Sequence, residues 1–274
     1  MSERTQYVHG TPCWIDLGSP EPDASARFYG ELFGWSASEP GPVEETGGYR
    51  NFELRGKMVA GLMQAQEGQP TAWSTYVSVD DADAAMQRAK DAGGTEIVEA
   101  MDVMSFGRMG YVADPAGAVV GIWQPRDFAG AELATETGAF GWNELTTRDP
   151  EGAQRFYGEV FGWSFEPVDM GGFDYIMFSA DGAAQAGAGG PGDVVGGIMP
   201  MGDAFPPEMP PHWMTYFGVD DADASAAKAE QLGGTISVPP TDIPPGRFAI
   251  ITDPQGAVFT IIKPVDEPPP ELRG

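Results

Sequence analysis

The sequence is poor in histidine, cysteine and basic residues. It has two histidines, one cysteine and 15 Lys+Arg against 41 Asp+Glu, which gives a formal net charge of −26. Two imidazoles leave little material for the common transition-metal sites, and a single cysteine excludes an intrachain disulfide. The shortage of basic residues argues against nucleic acid as a partner, because phosphate contacts need clustered Lys and Arg.

The chain also lacks a long apolar run. No stretch of about 18 apolar residues is available to cross a bilayer, and the first twelve residues lack the apolar centre of a signal peptide. We therefore expect a cytoplasmic protein, monomeric or homodimeric, that binds neither membrane nor nucleic acid. Its 274 residues, 42% of them hydrophobic, are enough for one large or two ordinary domains.

What the chain does contain is an internal repeat. Trp14–Trp35 (WIDLGSPEPDASARFYGELFGW) matches Trp142–Trp163 (WNELTTRDPEGAQRFYGEVFGW) at 11 of 22 positions. Thr75–Thr95 matches Thr215–Thr235 at 12 of 21, and each half closes on a GR…DPxGA segment. The second half is longer by 12 residues, which the Gly/Ala-rich stretch Ala180–Gly197 absorbs as a longer hairpin loop. The repeat predicts a duplicated chain.

The repeat predicts two domains, residues 8–127 and 136–265, with a linker near Asp127–Thr137 and a flexible acidic tail at 266–274. Each domain shows two amphipathic helical segments, the second capped by Asp80 in the first domain and ended by Gly93. Alternating or apolar runs predict its strands at Cys13–Gly18, Tyr49–Leu54, Met58–Gln64, Ser74–Val79, Arg108–Ala113 and Val119–Gln124. The order is strand, helix and three strands, twice in each domain.

Three motifs occur twice in the same order: a first strand followed by [AQ]RFYxxxFGW, a VDDADA helix start, and the closing DPxGA. This combination resembles the vicinal oxygen chelate superfamily, the glyoxalase/bleomycin-resistance/dioxygenase group, and in particular its tandem-domain actinobacterial members labelled glyoxalase-like proteins or hydroxylases. The resemblance covers about residues 10 to 264. It implies an α+β fold in which four βαβββ modules form two glyoxalase-like half-open barrels around small-molecule cavities.

Metal-using members of that superfamily hold a divalent ion with four residues from four strands. The resemblance places three of these positions at Trp14 and Trp142, Thr75 and Thr215, and Gly121 and Thr260. The fourth cannot be aligned, although Glu53 and Met177 lie near it. Tryptophan and glycine offer no donor atom to a divalent cation, and a threonine hydroxyl is a weak one. We therefore expect no metal and no other cofactor, and no classical glyoxalase I or extradiol dioxygenase activity.

Strand alternation predicts which side chains share a face with these positions. The candidates are two carboxylates on the first strands and a set of aromatic and hydroxyl side chains around them. The predicted ligand-binding residues are Trp14, Trp73, Thr75, Trp123, Trp142, Trp213, Thr215 and Phe217, with Asp16 and Glu144 as candidate acid–base groups. Such a set provides flat apolar area for a planar ligand and polar groups that orient it.

Several of these residues have a purely structural alternative. The tryptophans can simply fill two barrel cores, and the inward carboxylates can be buried ion pairs, for which Arg108 and Arg247 are the natural partners. Tyr76 and Tyr216 fall opposite the threonine face in this scheme and are expected to pack beneath helices. Cys13 is expected to be a small buried residue.

Three functions compete on this basis. The first is a metal-independent protein that binds or sequesters a planar aromatic, polyketide-like small molecule. The second is a metal-independent enzyme or accessory in aromatic natural-product biosynthesis or reactive-carbonyl detoxification, with Asp16 or Glu144 as general acid/base. The third is a divergent metal enzyme with a rearranged site.

Overall fold

The computed structural model describes residues 3–170, 174–185 and 193–265. The predicted tail at 266–274 lies outside the described residues, as does part of the predicted long hairpin loop. The chain forms two eight-stranded mixed sheets with few helices, so the α+β prediction is confirmed. Among the described helices, none combines the length and apolar character needed to cross a membrane.

The first sheet is built from the N-terminal half of the chain. Its strands are β1 (Pro12–Ser19), β2 (Ser36–Ala37), β3 (Arg50–Leu54), β4 (Lys57–Gln64), β5 (Ala72–Ser78), β6 (Thr95–Val103), β7 (Gly107–Ala113) and β8 (Val119–Pro125). Its helices are α1 (Pro22–Phe33), the single turn α2 (Val43–Thr46) and α3 (Ala82–Asp91). The strand order is β2-β3-β4-β1-β5-β8-β7-β6.

The second sheet repeats this arrangement. Its strands are β9 (Phe140–Thr147), β10 (Ser164–Asp169), β11 (Asp174–Ser179), β12 (Val194–Pro200), β13 (His212–Gly218), β14 (Thr235–Ile243), β15 (Gly246–Thr252) and β16 (Val258–Pro264). Its helices are α4 (Pro150–Phe161) and α5 (Ala222–Gln231), and the strand order is β10-β11-β12-β9-β13-β16-β15-β14.

The two modules of each half join through their first strands. β1 pairs with β5 antiparallel, and β9 pairs with β13 in the same way. Each strand–helix–three-strand module therefore supplies four strands to one sheet, and modules pair within a half of the chain. The outermost strands are β2 and β6 in the first sheet and β10 and β14 in the second.

The second helix of each half begins one residue later than the sequence predicts. Asp81, rather than Asp80, is the N-cap of α3, because its carboxylate accepts a hydrogen bond of 3.0 Å from the Ala84 amide. Asp221 caps α5 in the same way. This difference of one residue reverses the predicted face of the strand that precedes the helix, as described below.

The helices lie between the two sheets and form a shared core. α1 packs against α5, and α3 packs against α4. The Tyr29 hydroxyl of α1 donates to Asp253 at 2.9 Å, and the Tyr157 hydroxyl of α4 donates to Asp114 at 3.1 Å. Each of these buried phenols reaches the other half of the chain, so the halves are joined by satisfied polar contacts as well as by apolar packing.

Two tryptophans strengthen this junction. The Trp35 indole N–H donates to the Gly138 carbonyl, and the Trp163 indole N–H donates to the Gly10 carbonyl, both at 2.6 Å. These contacts are equivalent in the two halves, and each crosses from one half to the backbone that precedes the first strand of the other. The arrangement is therefore close to a two-fold symmetric dimer within one chain.

Candidate functional site

Each sheet has one face against the shared helical core and one face turned away from it. The side chains of Trp14 and Asp16 lie on the second kind of face in the first sheet, which we call the Asp16 face. Glu144 and Trp142 define its counterpart in the second sheet, the Glu144 face. The strand registers show which residues accompany each carboxyl.

Two rows of residues cross the Asp16 face. Pairing of β1, β5, β8 and β7 puts Trp14, Tyr76, Gly121 and Tyr111 in one row. Pairing of β3, β4, β1 and β5 puts Asn51, Gly61, Asp16 and Ser74 in the next. Directly opposed residues point to the same side of a sheet. The carboxyl is therefore surrounded by an indole, phenols, an amide and an alcohol.

The Asp16 carboxyl is held by two tyrosines. Its Oδ2 accepts hydrogen bonds from the Tyr76 hydroxyl at 2.8 Å and the Tyr49 hydroxyl at 3.3 Å. The Tyr49 oxygen in turn accepts a hydrogen bond of 2.9 Å from the Trp14 indole N–H. The hydroxyls of Tyr76 and Tyr111 are hydrogen-bonded to each other. The Oδ1 atom is buried and has no hydrogen-bond partner among the described residues. The neighbouring Ser74 side chain, directly opposite Asp16 on β5, also acts to lower the pKa of this carboxyl.

Burial controls the protonation of Asp16. The side chain is 2% exposed, and loss of solvation raises its pKa to about 6, against the opposing effect of the Tyr76 and Tyr49 hydrogen bonds. This carboxyl therefore stays protonated about two pH units above its usual range.

The Glu144 face repeats this constellation with different neighbours. Its rows are Trp142, Tyr216, Thr260 and Ile250 across β9, β13, β16 and β15, and Met177, Gly197, Glu144 and Met214 across β11, β12, β9 and β13. Compared with the Asp16 face, a threonine replaces a glycine, an isoleucine replaces a tyrosine, and two methionines replace an amide and an alcohol. The surroundings are therefore less polar and more adaptable.

Two tyrosines also hold the Glu144 carboxyl. Oε2 accepts from the Tyr175 hydroxyl at 2.9 Å and Oε1 accepts from the Tyr216 hydroxyl at 3.0 Å. The Trp142 indole N–H donates to the Tyr175 oxygen at 2.9 Å. Burial raises the pKa of Glu144 to about 7, with the two phenol hydrogen bonds acting in the opposite direction. This carboxyl can take up or release a proton near neutral pH.

On each face a glycine permits one of the two tyrosines to reach the carboxyl. A Cβ on Gly197 would overlap the Tyr175 hydroxyl, and a Cβ on Gly61 would overlap that of Tyr49. Both glycines lie next to the carboxyl residue on the neighbouring parallel strand. The phenols therefore lie directly over the sheet backbone, where only a glycine leaves room.

The structure separates the predicted site residues into two groups. Trp14, Asp16, Trp123, Trp142 and Glu144 lie on the carboxyl faces, as predicted. The prediction that five others share those faces is wrong: Trp73, Thr75, Trp213, Thr215 and Phe217 face the helical core. The Trp73 indole donates to Tyr29 and the Trp213 indole to Tyr157, at 3.0 and 3.2 Å.

The physical reason is the position of the helix cap. Counting back from Asp80 instead of Asp81 selects Thr75, and a slip of one residue moves a strand side chain to the opposite face. Thr75 lies across from Ile15, and its hydroxyl donates to Asn143 of the other half at 2.9 Å. Tyr76 and Tyr216 occupy the carboxyl faces, so the expectation that they pack beneath helices is also wrong.

The predicted arginine partners are not near the carboxyls. Arg108 pairs with Asp83 and Asp102 at 2.8 and 3.1 Å, all of them partly exposed. Arg247 makes the equivalent pairs with Asp223 and Asp242. The buried carboxyls accept hydrogen bonds from neutral tyrosine hydroxyls instead of pairing with a cation. Cys13 is fully buried, as predicted.

Tyr49 and Tyr175 were missed at the level of sequence. Tyr49 lies directly before β3 and Tyr175 lies in β11, the equivalent strand of the second half; they are 33 and 31 residues from the carboxyls that they contact. Their recurrence at matching places in the two halves was the available signal. The aromatic side chain in a repeated polar setting could have identified them as partners of the first strand.

Neither face offers the donors that a divalent metal needs. Each has one carboxylate, and the phenols around it are neutral, since burial raises the pKa of Tyr76 and Tyr216 well above its usual value. The described residues contain no cluster of three or more His, Cys, Asp or Glu that could hold a metal ion. A site for zinc, manganese or iron usually has three or four nitrogen, sulfur or carboxylate ligands. The residues present do not fit the superfamily's metal.

Comparison with known proteins places the chain in a family. The profile of the Glyoxalase/Bleomycin resistance protein/Dioxygenase superfamily matches residues 13–122 and 139–261. The chain belongs to this superfamily, once in each half, which confirms the resemblance seen in the sequence. Its fold of paired modules agrees with that membership.

Individual relatives match over nearly the whole length. The chain is 41% identical over 276 residues to "Putative glyoxylase CFP32" of Mycobacterium tuberculosis, which covers 97% of this chain and 100% of that protein. It is 36% identical over 277 residues to "Anthracycline biosynthesis protein DnrV" of Streptomyces peucetius, covering 94% and 95%.

Solved structures show the same fold at low identity. A Mn(II)-bound glyoxalase from Novosphingobium aromaticivorans has a TM-score of 0.65 and 16% identity, covering 97% of this chain and 86% of that one. The 2,3-dioxygenase LapB from Pseudomonas sp. KL28 has a TM-score of 0.62 and 15% identity, covering 96% and 95%. At such identities the likeness concerns the fold alone.

Proposed function

We propose that the chain binds or sequesters a small, planar, largely aromatic molecule, polyketide-like in character, on its carboxyl faces without a metal. The observation that carries this proposal is the buried carboxyl held by two phenols beside an indole, present once in each half. Burying an acid is costly unless it serves a purpose or is fully paired. Here no basic residue pairs with either carboxyl among the contacts of the described chain.

The chemistry of these faces matches such a ligand. Indole and phenol rings provide flat apolar area for a ligand. The carboxyl can donate a hydrogen bond to a ligand carbonyl when it is protonated, and can accept one from a ligand phenol when it is ionised. The name of the Streptomyces relative supports an aromatic natural product as the ligand class. The name of the mycobacterial relative supports a reactive carbonyl compound as the other class to be tested.

The test is a titration with 1,8-dihydroxyanthraquinone, followed by tryptophan fluorescence and thermal shift. We expect saturable quenching, unchanged after treatment with EDTA. The double variant Asp16→Asn, Glu144→Gln should weaken binding by about tenfold, since a hydrogen bond to an ionisable group is worth roughly 1.5–3 kcal/mol. The matched control is Glu230→Gln, an acid-to-amide change on the exposed side of α5. Absence of quenching and thermal shift for a panel of planar aromatics and carbonyl compounds would contradict the proposal.

A second candidate function is metal-independent acid–base catalysis on the bound compound. It is favoured by the pKa of Glu144, which burial raises to about 7, close to the value that general acid–base catalysis needs at neutral pH. Under this proposal, product formation would depend on an ionisation near pH 7. Glu144→Gln would abolish it while leaving detectable binding. Full activity of both Glu144→Gln and Asp16→Asn would contradict a catalytic role for these carboxyls.

A further inference from the structure

The Asp16 face is covered by a residue of the chain that joins the two halves. The Phe128 ring lies edge-on to the Trp14 ring, with centroids 4.8 Å apart and planes at 89°. It also meets the Trp123 ring at 5.9 Å and 73°. The Trp123 indole N–H donates to the Phe128 carbonyl at 3.0 Å, which fixes the segment at that point.

The segment that follows Phe128 is anchored to β1, to β4 and to the residues that precede β1. The Ala131 amide donates to the Cys13 carbonyl at 2.8 Å, and the Ala131 carbonyl accepts the Tyr7 hydroxyl at 2.8 Å. The Glu132 amide donates to the Met58 carbonyl at 2.7 Å, and the Glu132 carboxylate accepts the Met58 amide at 2.8 Å. Phe128 is therefore held over the Asp16 face by a series of backbone contacts.

The equivalent indole of the Glu144 face has no such partner. Within the described parts of the chain, no aromatic ring pairs with Trp142, and its side chain is only half-buried, whereas Trp14 is 5% exposed. Trp142 packs against a cluster of Val168, Met170, Tyr175 and Met177, in which the two flexible thioether chains can adapt to a ligand. Among the residues that the structure describes, an indole ring face is thus left for stacking in the second half, whereas Phe128 meets the Trp14 ring in the first.

The Glu144 face also carries an unused hydroxyl. Thr260 lies directly across from Tyr216 and is fully buried. Its Oγ1 has no hydrogen-bond partner of good geometry among the described residues, although it is near enough to the Tyr216 hydroxyl to act against the rise in the pKa of that phenol. The corresponding position on the Asp16 face is Gly121, which has no side chain to offer. An unpaired buried hydroxyl can be satisfied by an oxygen of a bound molecule.

We propose that the Glu144 face is the ligand site and that Phe128 fills the equivalent place on the Asp16 face as an internal occupant. This rests on the proposed function and specifies it. The ligand class is a planar aromatic that stacks on Trp142 and places a phenol or quinone oxygen near the Thr260 hydroxyl, beside the Tyr216 phenol that holds Glu144.

The test uses the full chain labelled with 5-fluorotryptophan, its seven tryptophan signals assigned by single Trp→Phe substitutions. With 1,8-dihydroxyanthraquinone, calorimetry should give one molecule bound per chain. Among the fluorine resonances of Trp14, Trp123 and Trp142, only that of Trp142 should shift strongly. Thr260→Val should weaken binding severalfold at unchanged stoichiometry.

Opening the other face provides the complementary measurement. Phe128→Ala should raise the stoichiometry to two, and the Trp14 and Trp123 resonances should then respond as well. If Phe128→Ala does not fold, Phe128→Leu, which retains an apolar cover, should keep a stoichiometry of one with a perturbed Trp14 signal before ligand is added. Two molecules bound to the unmodified chain, or a response at Trp14 instead of Trp142, would overturn this inference while leaving the proposed function intact. Absence of all binding would overturn both.

Discussion

Replacing Glu144 by glutamine should stabilise the protein above pH 7 and change little at pH 4.5 and below. Burial raises the pKa of this carboxyl from 4.5 to about 7. Between these values the folded protein keeps the proton that the unfolded chain releases. Stability therefore falls as pH rises through this window, because the folded state binds more protons than the unfolded state.

The magnitude follows from the same values. Each pKa unit corresponds to 1.36 kcal/mol, so the rise from 4.5 to about 7 means that the ionised carboxyl costs the folded state about 3 kcal/mol at pH 8 and above. Glutamine has a similar shape and retains one oxygen acceptor for a tyrosine hydroxyl, but it carries no charge at any pH. The variant should thus gain up to about 3 kcal/mol at high pH, with half of the rise reached between pH 5 and 6.

Urea unfolding followed by circular dichroism at pH 4.5 to 9 measures this difference directly. Asp16→Asn should show the same behaviour over a lower window, since the pKa of Asp16 is raised from 3.8 to about 6. Glu230→Gln, an acid-to-amide change on the exposed surface, is the matched control variant. If the difference in free energy of unfolding between Glu144→Gln and the unmodified chain were constant over the whole pH range, the raised pKa of Glu144 would be refuted. If the stability gained by the variant grew toward low pH, the pKa of Glu144 would have to be lowered instead of raised.

Two further substitutions test the packing. Gly197→Ala places a Cβ where the Tyr175 hydroxyl lies and should lower the free energy of unfolding in urea by about 1–3 kcal/mol. The control Gly202→Ala, with no atom within 4 Å of the new Cβ, should change it by no more than about 0.5 kcal/mol. Equal effects of the two substitutions would contradict the close approach of Tyr175 to Gly197. Tyr29→Phe removes the hydroxyl that donates a hydrogen bond to Asp253 across the two halves. It should lower the free energy of unfolding by about 1–3 kcal/mol, because a buried carboxyl oxygen loses its partner. A change below about 0.5 kcal/mol would show that the contact contributes little to stability.

The order of helices and strands could be predicted from the sequence because the same motifs occur in the same order in both halves. Matching segments in the two halves fix the first helices, the DPxG turns and the strands beside them. Trp14, Asp16 and their counterparts were placed correctly because alternation along a single strand needs no knowledge of its neighbours. The fold class and the family resemblance followed from the same repeated motifs.

The composition of the two faces could not be predicted to the same extent. Placing Thr75 depended on a count from the helix cap, and an error of one residue there exchanged it with Tyr76. The phenols of Tyr49 and Tyr175 reach the carboxyls only because β4 and β12 carry glycine at the adjacent position. That contact depends on strand register, which the local pattern does not encode.

Phe128 illustrates a different difficulty. It belongs to a connecting segment with no periodicity, and such segments follow the surface on which they happen to lie. Its contact with Trp14 links residues more than 100 positions apart and has no counterpart in the repeat among the described residues. A difference between two halves of a duplicated chain is therefore harder to predict than a shared property.

The reciprocal contacts of Trp35 and Trp163 with the opposite half have a consequence for how this protein can evolve. In a homodimer, one substitution alters both sites at once, so a change that benefits one and harms the other is lost. Here the two halves that correspond to such subunits are encoded separately within one gene, and they still share one core. Each carboxyl face can consequently accept its own substitutions while the common scaffold stays fixed, as the exchanges of Gly121 for Thr260 and Tyr111 for Ile250 show.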